Sequence, residues 1–256
     1  MSFYQDLQVK YQFMLSEVPF DLNPHIGENI KLEFSGRILC DHCGKVTKKS
    51  YSQGHCFPCS IKLASCDLCI MKPETCHFDK GTCREPEWAL THCFRPHVVY
   101  LANSSGLKVG ITRKSQIPTR WIDQGATQAL AILEVPNRKI SGEIEVLFKQ
   151  HISDKTDWRK MLKGSAAEIN LHDWKEKLLS LVHSDLARFE YKLLDESEAR
   201  FSYPVQVYPE KVSSLSLDKA KMIESKLIGI KGQYLIFESG VFNVRAHTGY
   251  EVSVEV

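Results

Sequence analysis

The chain has 256 residues, 43% of them hydrophobic and 25% charged, with a formal net charge of +2. That balance suits a folded protein of two or three small domains, or of one domain with an embedded metal module. It excludes a disordered chain and a strongly basic polyanion binder that works through its whole-molecule field. No apolar run reaches the ~20 residues of a membrane span, and residues 1–15 carry Asp6 and Lys10 in place of a continuous apolar stretch. Neither a membrane partner nor a signal peptide is therefore expected.

In residues 1–39 the clearest element is Ile30-Lys-Leu-Glu-Phe34, where apolar and charged residues alternate as in a half-buried strand. All nine cysteines of the chain follow between Cys40 and Cys93. Cys40-Asp-His-Cys43 and Cys56-Phe-Pro-Cys59 are two CxxC knuckles separated by twelve residues. Each knuckle offers two sulfurs, and the loop between them lets the pairs meet around one tetrahedral Zn²⁺. Residues 44–55, with Lys45, Lys48 and Lys49, read as a projecting hairpin or a solvated loop.

Cys66, Cys69, Cys76, Cys83 and Cys93 can supply a second site and leave one thiol over. A second zinc is the default there. The even spacing from Cys69 to Cys76 to Cys83 also permits an iron–sulfur cluster, with a redox or sensing role. Paired thiols in odd number argue against a secreted disulfide framework and for a reducing cytoplasm. A zinc held by four thiolates is a unit of charge −2, so two of them would bring the formal +2 to −2. Any affinity for nucleic acid must then come from local patches.

Residues 98–165 read as a compact α/β unit. Val98-Val-Tyr-Leu101 is a buried strand, Asn103-Ser-Ser-Gly106 a turn and Leu107-Lys-Val-Gly-Ile-Thr112 the returning strand. Pro118 opens a helix through Arg120 and Trp121, and Leu130 to Val135 is a further strand. A helix from about Ser141 aligns Ile140, Ile144, Leu147, Phe148 and Ile152 on one face. Residues 166–195 are expected to be helical, with Trp174, Leu178, Leu181 and Val182 as the stripe. Residues 203–256 carry strand signals, with a hairpin of Gln233-Tyr-Leu-Ile-Phe237 and Val241-Phe-Asn-Val-Arg245 followed by a strand after Gly249. The expected organisation is a cysteine-rich segment over 1–97, an α/β domain over 98–200 and a small β-barrel or sheet over 201–256, an α+β protein overall.

The order Val98-Val-Tyr100, Lys108-Val-Gly110, Arg120 and Glu145 resembles the core of the GIY-YIG endonuclease superfamily, in its phage-type branch. Val98 stands where that first motif opens on glycine, and Lys108 replaces the tyrosine of the second. The resemblance implies a small mixed sheet with helices and metal-dependent cleavage of a phosphodiester. It implies that Tyr100 helps to activate the attacking water and that Arg120 steadies the phosphate charge. It also implies that Glu145 binds one Mg²⁺ or Mn²⁺. A tyrosine titrates near ~10 and is a poor base at neutral pH, so a cation such as Lys108 would have to lower it. Helix geometry alone does not select Glu145 over Glu143. Each residue also has a structural reading: Tyr100 as core, Lys108 as a solvated face, Arg120 paired with Asp123, Glu145 as an exposed helix charge.

The whole chain also resembles an uncharacterised bacterial cysteine-rich family of unknown function. The strings that carry this are Gly81-Thr-Cys-Arg-Glu-Pro86, Pro118-Thr-Arg-Trp-Ile-Asp-Gln-Gly-Ala126, Asp157-Trp-Arg-Lys-Met161 and Gly232-Gln-Tyr-Leu235. DNA or RNA is the expected partner. Arg113, Lys114, Trp121 and Gln124 are the candidate contacts near the motifs, Trp121 being either a stacking platform or packing. Further basic residues are Arg138 and Lys139 before the glutamate helix and Arg159, Lys160 and Lys163 after it. In the tail, Lys231, Tyr234, Phe237, Asn243, Arg245 and His247 could serve binding or the core. A non-catalytic zinc-dependent binding module with a degenerate nuclease core is the alternative.

Overall fold

The computed structural model describes residues 7–15 and 17–256. The protein is a mixed α+β chain that forms two compact units, where the sequence suggested three consecutive segments. One consists mainly of Lys62–Met161 and Ser165–Phe201, the other of Gln8–Ile61, Leu162–Gly164 and Ser202–Val256. The cysteines divide between them: the first four belong to the second unit and the last five to the first.

The first unit is framed by the expected hairpin. His97–Asn103 pairs antiparallel with Leu107–Arg113, closing at Asn103 opposite Leu107. On its other side it pairs antiparallel with Gln128–Val135, whose outer neighbour is Ala199–Ser202. A central strand is covered on both faces, which is why Val98 to Ala102 is an unbroken apolar run, fully buried. The helix Arg138–Phe148 lies against this sheet. It begins three residues earlier than the sequence suggested because the Asn137 side chain caps it, accepting a hydrogen bond from the Ile140 amide at 3.0 Å. Ile144 and Phe148 are wholly enclosed, and burial of such side chains stabilises by ~1.5–3 kcal/mol each. Leu171–Leu181 adds Leu171 and Leu178 to the same core, while Leu181 stays exposed.

Gly110 and Gly142 are among the glycines that close approach requires. A Cβ on Gly110 would stand 2.6 Å from the Tyr100 hydroxyl on the neighbouring strand. A Cβ on Gly142 would stand 2.6 Å from Pro73, so this helix glycine lets the 3-10 turn Pro73–Thr75 dock on the helix.

The second unit is an open sheet and not a closed barrel. Its order is Ser214–Leu215, Gly240–Asn243, Tyr234–Phe237, Met222–Lys231, Asn29–Leu39 and Tyr250–Glu255. The long strand Asn29–Leu39 thus sits between two strands from the C-terminal part of the chain. Ile30, Leu32, Leu227, Leu235 and Phe237 form its core.

Candidate functional site

The strand Asn29–Leu39 delivers Cys40 directly into a knuckle. The Gly44 amide donates to the Cys40 carbonyl at 2.8 Å, and the Cys40 amide to the Lys45 carbonyl at 2.9 Å. Val46–Thr47 then returns beside Ile38 and Leu39. The second pair lies at the start of a helix, with Cys56 just before Phe57–Lys62 and Cys59 within it. The intervening loop is tied down. The Ser50 hydroxyl donates to the Thr248 carbonyl at 3.1 Å, and the Arg245 guanidinium to the Gln53 side chain at 2.6 Å.

The sulfurs of Cys40, Cys43, Cys56 and Cys59 all lie within 4.8 Å of one another. A tetrahedron with ~2.3 Å bonds has sulfur edges of ~3.8 Å. The Cys43–Cys56 separation is 3.8 Å, far too long for a disulfide. Burial works against ionising Cys40, but the amides of Cys43, Cys56 and His42 point at its sulfur and bring it down to about 6. The Cys59 thiol, hydrogen-bonded to the Cys56 sulfur and partly desolvated, is pushed up to about 12. The four cysteines are close enough to bind a metal such as zinc, and the donor set fits it.

The later cysteines are arranged differently. Cys69 groups with Asp67 and His77, all three donor atoms lying within 4.8 Å. Asp67 is already engaged by Arg84 at 2.7 Å. Burial first, then the charges of Asp67, Cys76, Cys93 and Cys83, push the Cys69 thiol up to about 11. Cys66 closes the 3-10 turn Ala64–Cys66, its sulfur 3.9 Å from the Ser65 hydroxyl. All nine cysteines are free.

A charged cluster occupies the hairpin unit. Tyr100 lies across from Gly110, fully buried, and donates its hydroxyl proton to Gln124 at 3.0 Å. Arg120, from the short helix Thr119–Asp123, lies close enough to the same hydroxyl to favour its ionised form. Burial pushes Tyr100 up to about 12, against the pull of Arg120 and Gln124. The expected lowering by a nearby cation does not occur, because the loss of water outweighs it. Lys108 is 5% exposed and donates to the Thr156 hydroxyl at 3.2 Å. Burial first, then the Arg120 charge, brings Lys108 down to about 8. Its segment is fixed from the side, where the Val109 amide donates to the Ser153 carbonyl at 2.8 Å.

Glu145 is the glutamate that turns toward this group. Burial raises its carboxyl above the ordinary range, while Lys149 and Lys108 work to lower it. Glu143 instead neighbours Lys139. Asp154 and Lys149 were missed by the sequence reading. Lys149 stands 2.9 Å from Asp154 and 3.6 Å from Glu145, a cation held between two carboxylates. The i,i+4 relation of Glu145 to Lys149 was a signal for half of this; Asp154 had none.

Several expected nucleic-acid contacts are redirected. Trp121 is 2% exposed and meets Tyr100 and Phe201 edge-on, so it is packing and offers no face to a base. Gln124 is committed to Tyr100. Arg138 is held inside, its guanidinium donating to the Ile70 carbonyl. Lys231 and Phe237 are buried as well. Lys114 is exposed but paired with Glu134 at 2.6 Å, while Arg113 is half-exposed, and Arg159, Lys160 and Lys163 face outward.

These features define a mixed α+β protein with a four-cysteine centre suited to a metal such as zinc. Among the described residues no helix is long and apolar enough to cross a membrane. Within that class, the chain belongs to the family described as protein of unknown function (DUF2797), which matches residues 27–252. No curated protein and no solved structure matches it.

Proposed function

We propose that the protein binds DNA or RNA and cleaves its phosphodiester backbone with a divalent cation, as the GIY-YIG resemblance implies. The observation that carries the reading is the grouping of Arg120 and Glu145 with the Tyr100 hydroxyl, and of Lys108 and Asp154 with that same Arg120 and Glu145. A phosphate accepts from the two-pronged guanidinium of Arg120 better than from any other side chain. Lys108, at about 8, can release or take a proton near neutral pH, which Tyr100 at about 12 cannot. Tyr100 therefore serves to hold Arg120 in place. Glu145 and Asp154 already share one cation, the Lys149 ammonium, and oxygen donors suit Mg²⁺ or Mn²⁺. Such an ion, when bound, supplies polarisation of the phosphate and charge for the leaving oxygen.

Cys40, Cys43, Cys56 and Cys59 hold a structural zinc in this reading, and nine free thiols fit a reducing cytoplasm. The exposed Arg159 and Lys160 supply backbone contacts. The test is incubation of the whole chain with single- and double-stranded DNA and RNA plus Mn²⁺. Wild type is expected to cut at least one, and Glu145→Gln to bind that substrate without cutting it. Equal cutting by Glu145→Gln refutes the assignment. Binding by wild type without cutting on any substrate favours the non-catalytic binding module, a reading that the burial of Tyr100 supports.

A further inference from the structure

We infer that Cys69, Cys76, Cys83 and Cys93 together ligate one iron–sulfur cluster, with Cys66 outside it and the Arg138 guanidinium set against it. This goes beyond the cleavage reading and does not depend on it.

The four residues are gathered by contacts made one or two positions away from each. Phe78, which follows Cys76 by two, stacks obliquely on Phe94, next to Cys93, at 4.6 Å. Arg84, next to Cys83, pairs at 2.7 Å with Asp67, two residues before Cys69. His77, next to Cys76, is within 4.8 Å of the Cys69 sulfur. Arg138 closes the ring: its amide donates to the Cys93 carbonyl at 2.8 Å, and its guanidinium to the carbonyl of Ile70, next to Cys69. The docking permitted by Gly142 fixes the turn Pro73–Thr75, which leads into Cys76.

Spacing decides the kind of group. The first four sulfurs sit as close as a single tetrahedral ion requires. Among the described residues, no three of the five later thiols lie within the same 4.8 Å limit. Yet Cys69 feels the charges of Cys76, Cys83 and Cys93, and Cys93 those of Cys76 and Cys83. Four thiols linked through Cys69 and Cys93, with no three sulfurs meeting within 4.8 Å, frame something wider than a single ion. A cluster places separate irons under separate thiolates and fills the space between them with sulfide. Asp67 does not complete a mononuclear site with Cys69 and His77 in preference, because its charge is taken up by Arg84.

Charge points the same way. The Arg138 Nε is buried and has no hydrogen-bond partner among the described residues. Cys93 and Cys69 are the groups whose negative charge would favour its guanidinium. A buried unpaired donor beside thiols calls for an acceptor, and cluster sulfur is one. Donors to such sulfurs favour the reduced state, so Arg138 would raise the cluster's potential.

The test uses the full chain, expressed with iron supplied and purified without oxygen. Iron, acid-labile sulfide and zinc are measured per chain, together with visible absorption and the electron paramagnetic resonance of the dithionite-treated protein. Iron and sulfide are expected in equal amounts alongside one zinc, with broad visible thiolate-to-iron bands. Cys69→Ala, Cys76→Ala, Cys83→Ala and Cys93→Ala are each expected to lose iron and sulfide while keeping the zinc. Cys66→Ser is expected to keep all three, and Arg138→Gln to keep the cluster at a lower potential. Two zincs with neither iron nor sulfide would overturn the inference, as would loss of iron in Cys66→Ser. If the alanine variants fail to accumulate, the wild-type content and the Cys66→Ser content decide it. Iron content is blind to nucleic-acid cleavage, so either proposal can fail alone.

Discussion

Replacing Lys108 by Met should make the protein more stable at pH 7. The ammonium of Lys108 is buried, and its ordinary value of 10.5 falls to about 8 in the fold. Each pH unit is worth ~1.4 kcal/mol, so keeping the charged form in place costs ~3 kcal/mol at neutral pH. Methionine fills nearly the same volume without a charge, and gives up the bond to Thr156, worth ~1 kcal/mol. The net gain is ~2 kcal/mol. The sign with pH follows from linkage. Below pH 8 both the folded and unfolded states hold the proton, and the penalty is present in full. Between about 8 and 10.5 the folded state has released its proton while the unfolded state keeps it, so wild-type stability rises across that window. Lys231, also brought down to about 8 by burial alone, rises in the same window in both proteins. Subtracting the variant from the wild type therefore isolates Lys108. Urea denaturation at pH 7, 8, 9 and 10 reads the difference. The reasoning fails if the variant is less stable at pH 7, or if the gap between the two proteins does not narrow as pH rises.

Gly110→Ala should cost ~1–3 kcal/mol, because its Cβ cannot coexist with the Tyr100 hydroxyl and the Tyr100 ring has no room to withdraw; an unchanged denaturation midpoint would refute that. Cys59→Ser should release the metal of the first centre and raise amide exchange at Cys40 and Asp41, whose amides bond to the Lys45 and Gly54 carbonyls, with retained stoichiometric zinc as the opposing result. Arg120→Lys should leave the fold intact yet weaken nucleic-acid binding, since a single ammonium cannot replace a two-pronged donor; filter binding at fixed salt reports it, and unchanged affinity removes Arg120 from the phosphate site.

What could be read in advance was what repeats or alternates along the chain. The hairpin from His97 to Arg113, the body of the glutamate helix and the first four cysteines are local patterns, and each formed as local rules dictate. What could not be read was whatever depends on the partner brought in from elsewhere. The strand Asn29–Leu39 shows alternation but not that its neighbours lie some two hundred residues further on. Trp121 beside Arg120 looks the same as text whether it stacks on a base or fills a core; only Phe201, eighty residues later, decides. The same limit governs charge. Lys108 and Lys231 are both buried lysines brought down to about 8. Lys231 lies over the rings of Tyr203 and Tyr208 and donates to the Gly164 carbonyl at 2.9 Å, and burial alone accounts for its lowered value. That is a structural lysine, satisfied by backbone and aromatic faces. Lys108 has Arg120, Glu145 and Asp154 as its electrostatic neighbours instead, three charges that the fold could have replaced with apolar side chains at a gain in stability. Burial and a lowered value are common to both, so neither marks a functional site. What sets Lys108 apart is its company, assembled from three separate stretches of chain that no spacing rule connects.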